Sequence, residues 1–199
     1  MYLALLSRVG SNNATSADNQ QERPLKRMIN FKKIPDSIGY YLAGFADGEG
    51  SFNISFRPRP DFKISWKVSA CFNVSQKDKV ILSLFKKHLQ CGTLRSRPDG
   101  VWYFEVNNLT SLVENVIPFF KRYGFLSAKK KNDFAMFQLI IEIIKQNEHL
   151  SKEGIVRILQ IRNRMNGIGK RKFTDDEIIQ ALEESSETTR QTPNDSGMI

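Results

Sequence analysis

The chain has little that would support redox, disulfide or covalent catalytic chemistry. Its two cysteines, Cys71 and Cys91, stand alone among 199 residues. They form no CxxC pair and no metal-ligand spacing, which excludes a disulfide scaffold and fits a reducing intracellular compartment. The two histidines, His88 and His149, fall in helical stretches with no nucleophile pattern around them, so a triad-type hydrolase finds no support. No apolar run approaches the roughly 20 residues that a bilayer demands, and no membrane partner is expected. The start, Met1 to Leu6, is too short for a signal-peptide core, although residues 1–27, with Ser and Arg and few acids, leave room for a degenerate organellar transit segment. Acid is also scarce over most of the length. Residues 175–199 hold seven acids and one base, a net of −6, so residues 1–174 carry +15 against an overall +9. A basic body with a separate acidic tail suits a polyanion partner, above all nucleic acid.

What is present is enough apolar residue, 40%, for the core of one domain. Residues 10–24 are polar and read as linker or disorder, as do residues 184–199. The expected organisation is therefore an N-terminal extension over 1–27, a folded domain over 28–183 and an acidic tail over 184–199. Within the domain, Asp36 or Ser37 can cap a helix in which Ile38, Tyr41, Leu42, Phe45 and Ala46 recur at helical spacing. Phe52, Ile54 and Phe56 then alternate with polar residues as a first strand. Pro58 to Asp61 makes a turn, and Ile64, Trp66, Val68, Ala70 and Phe72 mark a long second strand. Residues 78–90 form an amphipathic helix that Gly92 ends. Strands over Thr93–Arg97 and Val101–Asn107 flank a Pro-Asp-Gly turn. Helical stretches follow at 109–122, 129–147 and 151–165, and Thr174 to Glu177 opens a last helix with a capping box. The expected class is α+β, in the order α-β-β-α-β-β-α with additional C-terminal helices.

The four strands share one design, apolar on one face and polar on the other. The polar face carries Ser51, Asn53, Ser55, Arg57, Lys63, Ser65, Lys67, Ser69, Asn73, Thr93, Arg95, Arg97, Tyr103, Glu105 and Asn107, with Arg59 in the turn and Lys77 just beyond the second strand. A merely solvated face would mix charge signs. Here the first three strands show only Arg, Lys, Ser, Thr and Asn at these positions. Arg reads guanine, Asn reads adenine, Glu accepts from cytosine, and a strand ribbon fits the major groove. A DNA-reading face is the expectation, with a plain solvated face as the alternative.

The stretch Tyr41-Leu-Ala-Gly-Phe-Ala-Asp-Gly-Glu-Gly-Ser51 carries the chemistry. Gly44 and Gly48 lie four apart on one helix face, each costing roughly 1 kcal/mol relative to Ala, and their spacing would let a second helix approach closely. Asp47 and Glu49 sit at the helix end, where a carboxylate and exposed carbonyls can hold a hard cation. A surface turn after a core helix is the bland alternative.

Leu42-Ala-Gly-Phe-Ala-Asp-Gly-Glu-Gly50 resembles the nine-residue motif of the LAGLIDADG homing endonucleases. Leu42, Ala43, Gly44, Asp47 and Gly50 match letter for letter, and Glu49 keeps the carboxylate of the eighth position. The element order is similar over about residues 36–165. The resemblance implies a saddle-shaped antiparallel sheet, a metal site at Glu49 with the Gly48 carbonyl, and a dimer interface through Leu42, Gly44, Phe45, Asp47 and Gly48, in which Asp47 has a structural role. It also implies catalytic roles for Gln76 and for one lysine of the Lys129-Lys130-Lys131 run, with Lys129 favoured and Lys130 and Lys131 as phosphate contacts. Val80 stands where the family often has a basic residue. A single motif implies a homodimer that cuts double-stranded DNA at a pseudo-palindromic site. Mg²⁺ is the implied cofactor, and Ca²⁺ would occupy the same sites without supporting cleavage. The compartment implied is an organelle or a bacterial cytoplasm. An RNA maturase with an intron RNA partner, or a non-catalytic DNA-binding regulator, are the alternatives on this scaffold.

Overall fold

The computed structural model describes residues 29–61, 64–165 and 171–188. Helix α1 spans Asp36–Glu49 with Pro35 at its N-cap, so neither Asp36 nor Ser37 caps it through a side chain. Asp36 is instead a first-turn acid, where it complements the helix dipole, and it pairs with Arg122 at 3.3 Å. The helix buries Gly39, Leu42, Ala43 and Ala46. Gly39 is required by packing, because a Cβ there would fall 2.2 Å from the Tyr123 ring.

Strands β1 (Gly50–Pro58) and β2 (Trp66–Gln76) pair antiparallel, from Gly50 opposite Val74 to Pro58 opposite Trp66. The second strand starts later than its alternation suggested. Ser65 adopts φ 54°, and its carbonyl accepts the Arg59 N–H at 2.7 Å. Ser65 therefore closes the hairpin and does not stand on the strand face; Lys63 lies outside the described residues. Helix α2 (Lys79–Leu89) is capped by the Asp78 carboxylate on the Val80 N–H at 2.8 Å. It ends at Gln90, which takes the left-handed conformation, and not at Gly92. Gly92 serves packing: at φ 80°, a Cβ would sit 2.6 Å from the Phe104 ring. Strands β3 (Thr93–Ser96) and β4 (Trp102–Val106) complete a four-stranded sheet in the order β1-β2-β4-β3.

The chain then forms α3 (Leu109–Ser111), which passes through a π-turn (Leu112–Val116) into α4 (Ile117–Tyr123). Pro118 has no N–H to give to the preceding turn, and the π-turn lies directly ahead of it. Helix α5 (Ala128–Lys145) is capped by Ser127, and α6 (Lys152–Asn163) by Ser151. Helix α7 (Asp175–Thr188) opens on the expected capping box, in which Glu177 accepts from the Thr174 N–H at 2.6 Å and donates its own N–H to the Thr174 hydroxyl at 3.2 Å. It extends past residue 183, anchored by the buried Ile178 and Leu182.

Helices cover one face of the sheet. There the Phe52 ring lies 5.0–5.9 Å from those of Phe72, Phe120, Phe125, Phe134 and Phe137. Removing a ring so enclosed would cost about 3–5 kcal/mol. The other face stays open, and register aligns its side chains in rows across the strands. Ser51, Asn73, Glu105 and Thr93 form one row and Ser75, Tyr103 and Arg95 another; Asn53 pairs with Cys71, Ser55 with Ser69 and Arg57 with Lys67.

Candidate active site and DNA-reading face

Among the described residues, nothing covers the glycine stripe of α1. Ser37, Tyr41, Gly44 and Gly48 follow one another at three- and four-residue steps and are exposed, while Tyr40 beside them sets its ring edge-on to Tyr123 at 5.3 Å. Tyr40 and Tyr41 are 60% and 55% exposed, large values for aromatic rings. A Cβ built on Gly44 or Gly48 meets nothing within 4 Å, so neither glycine is demanded by the fold of a single chain. The expected interface set divides here. Leu42 is 0% exposed and turned into the core beside Ala43 and Ala46, because helical geometry puts it opposite the glycines. Phe45 is half-buried, 6.3 Å from Phe85. Only Gly44 and Gly48 of the five lie on the open face. Leu126, which the motif did not reveal, is 91% exposed at the same end of the helix.

The two acids of the motif do different work. Asp47 accepts the Leu126 N–H at 2.9 Å, the Ser127 N–H at 2.8 Å and the Ser127 hydroxyl. Burial alone would push its carboxyl up, but the bonds from Ser127 and Leu126, helped by the Lys130 charge, outweigh that and hold it below its ordinary value. A carboxylate so occupied has little capacity left for a cation. Glu49 is exposed and enters none of the salt bridges among the described residues. Its free carboxylate and a helix-end carbonyl are hard oxygen donors of the kind that suits Mg²⁺ or Ca²⁺. No group of three or more His, Cys, Asp or Glu side chains gathers among the described residues.

Lys130 is the lysine that reaches this joint. Its ammonium donates to the Gly50 carbonyl, and the residue is 9% exposed. Burial pushes its pKa down, more strongly than the nearby Asp133, Asp47 and Glu49 charges push it up. Lys129 and Lys131 are exposed on either side. Lys130, Phe134, Phe137 and Ile141 form a buried helical stripe, a spacing present in the sequence that marks the middle lysine as the inward-facing one. Gln76 ends β2 two residues beyond Val74, the partner of Gly50, and so occupies the same end of the sheet as Glu49. Its amide oxygen accepts the Lys77 N–H at 2.8 Å. Val80 is 66% exposed, and the cation close by is Lys79, 4.3 Å above the ring of Trp102, which neighbours Gln76 across the sheet.

A cavity of about 680 Å³ opens beside Gly48 and runs along the outer edge of β1. Lys129, Lys130, Arg171 and Lys172 are among the groups lining it, with Asp133 the one acid. The segment carrying Arg171 and Lys172 is fixed to the sheet. Asp175 receives Arg162, accepts from Asn163 at 2.6 Å and meets Arg171 at 3.4 Å, while Phe173 stands edge-on to Trp66 at 5.2 Å. Sequence patterning did not single out Arg171 and Lys172, because they follow no strand or helix periodicity.

Most of the expected DNA-facing residues share the open sheet face: Ser51, Asn53, Ser55, Arg57, Lys67, Ser69, Asn73, Thr93, Arg95, Tyr103 and Glu105. Cys71 and Ser75 join them. The Cys71 thiol is pushed up to about 12, chiefly by burial, and stays neutral. Arg97 lies beyond β3 and stacks over Tyr103 at 4.0 Å. Asn107 lies beyond β4 and donates to Glu105 at 3.0 Å. Arg59 is engaged by Asp61 through two hydrogen bonds of 2.7 and 2.5 Å in the hairpin turn.

A glycine-faced helix thus leads to one free carboxylate at the end of a basic sheet. A family model described as LAGLIDADG endonuclease matches residues 42–141, and the chain belongs to that family. It is 32% identical over 135 residues to a probable intron-encoded endonuclease 2 of Neurospora crassa, covering 65% of this chain and 30% of that protein. The chain thus spans under a third of that relative's length. Among solved structures, the archaeal intron-encoded homing endonuclease I-Vdi141I complexed with DNA superposes with a TM-score of 0.67 at 25% identity, over 76% of this chain and 97% of that one. I-SmaMI, bound to uncleaved DNA in the presence of calcium ions, superposes with a TM-score of 0.64 at 25% identity, over 73% of this chain and 49% of that one. Among the described residues, no helix is long and apolar enough to cross a membrane.

Proposed function

We propose that two copies of this chain form a homing endonuclease that makes a metal-dependent double-strand break in a long pseudo-palindromic DNA target, and that it is intron-encoded. The observation that carries this is the joint at Gly48 to Gly50. An unpartnered glycine face leads directly to a free carboxylate, while the neighbouring acid is consumed in holding the joint. Two such helices meeting at a twofold axis would set two Glu49 carboxylates side by side. The matched region corresponds to nearly all of I-Vdi141I and to about half of I-SmaMI, which supports reading that region as one functional half.

Glu49 and the Gly48 carbonyl of each copy would hold Mg²⁺, which, when bound, supplies Lewis-acid activation of water and stabilisation of the leaving oxygen. The chain's own residues bind and orient the substrate. The sheet faces seat the duplex through Arg57, Lys67 and Arg95, and the β1-edge cavity receives backbone phosphate between Lys129, Arg171 and Lys172. Lys130 holds a fixed positive charge at the joint, and Gln76 offers an amide to water at the same end. Lys129 lines the cavity and serves phosphate contact.

Glu49→Gln tests this. With a randomised-site duplex library and Mg²⁺, the parent should select a cleavable site. The variant should lose cutting by at least about 10³-fold while retaining DNA affinity, the pattern of a lost metal ligand. Undiminished cutting by the variant would overturn the assignment.

A further inference from the structure

Glu105 stands out on the open sheet face. Among the outward-facing strand residues it is the only acid, placed in register between Asn73 on β2 and Thr93 on β3. Arg57, Lys67 and Arg95 occupy the same face, yet Glu105 takes part in none of the ion pairs among the described residues. One carboxylate oxygen accepts from the Asn107 amide at 3.0 Å, which fixes the side chain along the strand end. The Asn73 amide nitrogen, directly opposite, donates to the Cys71 sulfur at 3.9 Å and leaves Glu105 alone. The Cys71 thiol is neutral and adds no balancing charge.

A lone carboxylate facing a polyanion opposes binding at every sequence unless a donor on the DNA meets it. In the major groove only exocyclic amines donate, N4 of cytosine and N6 of adenine. Adenine sets its N7 acceptor beside that amine, where it repels the second carboxylate oxygen; cytosine sets none there. Guanine and thymine present acceptors alone.

We propose that Glu105 is a specificity-determining residue that demands cytosine at one position of each half-site, with adenine second and guanine and thymine rejected. This rests on the proposal that the sheet face occupies the major groove. Because the carboxylate repels the backbone everywhere, it acts mainly by penalising wrong sequences.

The test has a protein arm and a DNA arm. Parent chain and Glu105→Gln each select binding sites from randomised duplexes, and the position whose preference differs is then substituted base by base. The parent should favour cytosine over thymine there by roughly tenfold or more. The variant, which gains an amide donor, should bring that ratio to within about threefold and leave every other position unchanged. Identical preference profiles for the two chains would overturn the proposal. So would a variant that binds all sequences more tightly by the same factor, since the carboxylate would then act only as bulk charge. The base substitutions made against the parent do not depend on how the variant folds: a selected half-site with no cytosine-demanding position also ends the proposal. If the parent selects no sequence at all, the DNA-recognition proposal itself falls, and this one with it.

Discussion

Gly44→Ala separates what the protomer needs from what a dimer needs. In the protomer a methyl at Gly44 meets nothing within 4 Å, and the position is interior to α1. Replacing an exposed interior helical glycine with alanine should stabilise the monomer by about 0.5–1 kcal/mol, through propensity alone. In a dimer whose motif helices touch along this face, the same methyl overfills a close contact, at about 1–3 kcal/mol for each copy. The twofold axis duplicates the clash, so dimerisation should weaken by about 2–6 kcal/mol, at least roughly 30-fold in Kd. The two effects have opposite signs and are measured separately. Sedimentation over a dilution series reads the Kd, and thermal unfolding at a concentration below that Kd reads the monomer, because the Tm of a dimer depends on concentration. Cleavage should fall in parallel with dimerisation and recover at high protein concentration. A Gly44→Ala chain that dimerises and cuts like the parent would refute close helix contact at this face. A variant with a destabilised monomer would refute the open space above Gly44.

Three further outcomes follow from the same joint and its surroundings. Asp47→Asn should destabilise the chain by about 1–2 kcal/mol, since it weakens the charged acceptor that caps the turn before α5; urea melts measure it. The carboxyl titrates below its unfolded value of 3.8, so its contribution is present in full above that pH and fades as pH falls through the folded value; the variant should show a flatter acid limb, and an unchanged one counts against the anchor. Lys130→Met should lower kcat by about 10²-fold while Lys129→Met mainly weakens binding, and the reverse pattern would return the catalytic role to Lys129. Lys172→Ala should weaken DNA binding evenly across sequences and reduce the slope of log Kd against log salt by about 0.9, and an unchanged slope would remove it from the phosphate path.

Much of this molecule can be read from periodicity. The alternation in Phe52, Ile54 and Phe56 and the capping signals at Asp78 and Thr174 fix elements where local physics and tertiary packing agree. The boundaries that moved are those where packing prevailed. Ser65 is polar and in phase with the strand, yet a positive φ closes the hairpin there. Gly92 looks like a helix stop, but Gln90 takes the left-handed turn and Gly92 makes room for Phe104. At the site, a motif names residues without saying which way they face. Leu42 and Gly44 are two letters apart in one word, and helical geometry sends one into the core and leaves the other open. Which lysine of the run meets the Gly50 carbonyl depends on the packing of α5 on β1, and the placement of Arg171 and Lys172 depends on the Asp175 anchor, a long-range contact that no local pattern encodes.

The start of α5 grips both sides of the hinge between α1 and β1: backbone and hydroxyl of Leu126 and Ser127 hold Asp47 on one side, and Lys130 holds the Gly50 carbonyl on the other. The backbone that carries Glu49 is therefore held from both sides within a single chain. Two copies joined head to tail by a tether would need no rebuilding at this hinge. Under the proposed function, each half would then be free to change its own sheet face and recognise an asymmetric sequence, with the hinge at Glu49 left as it was.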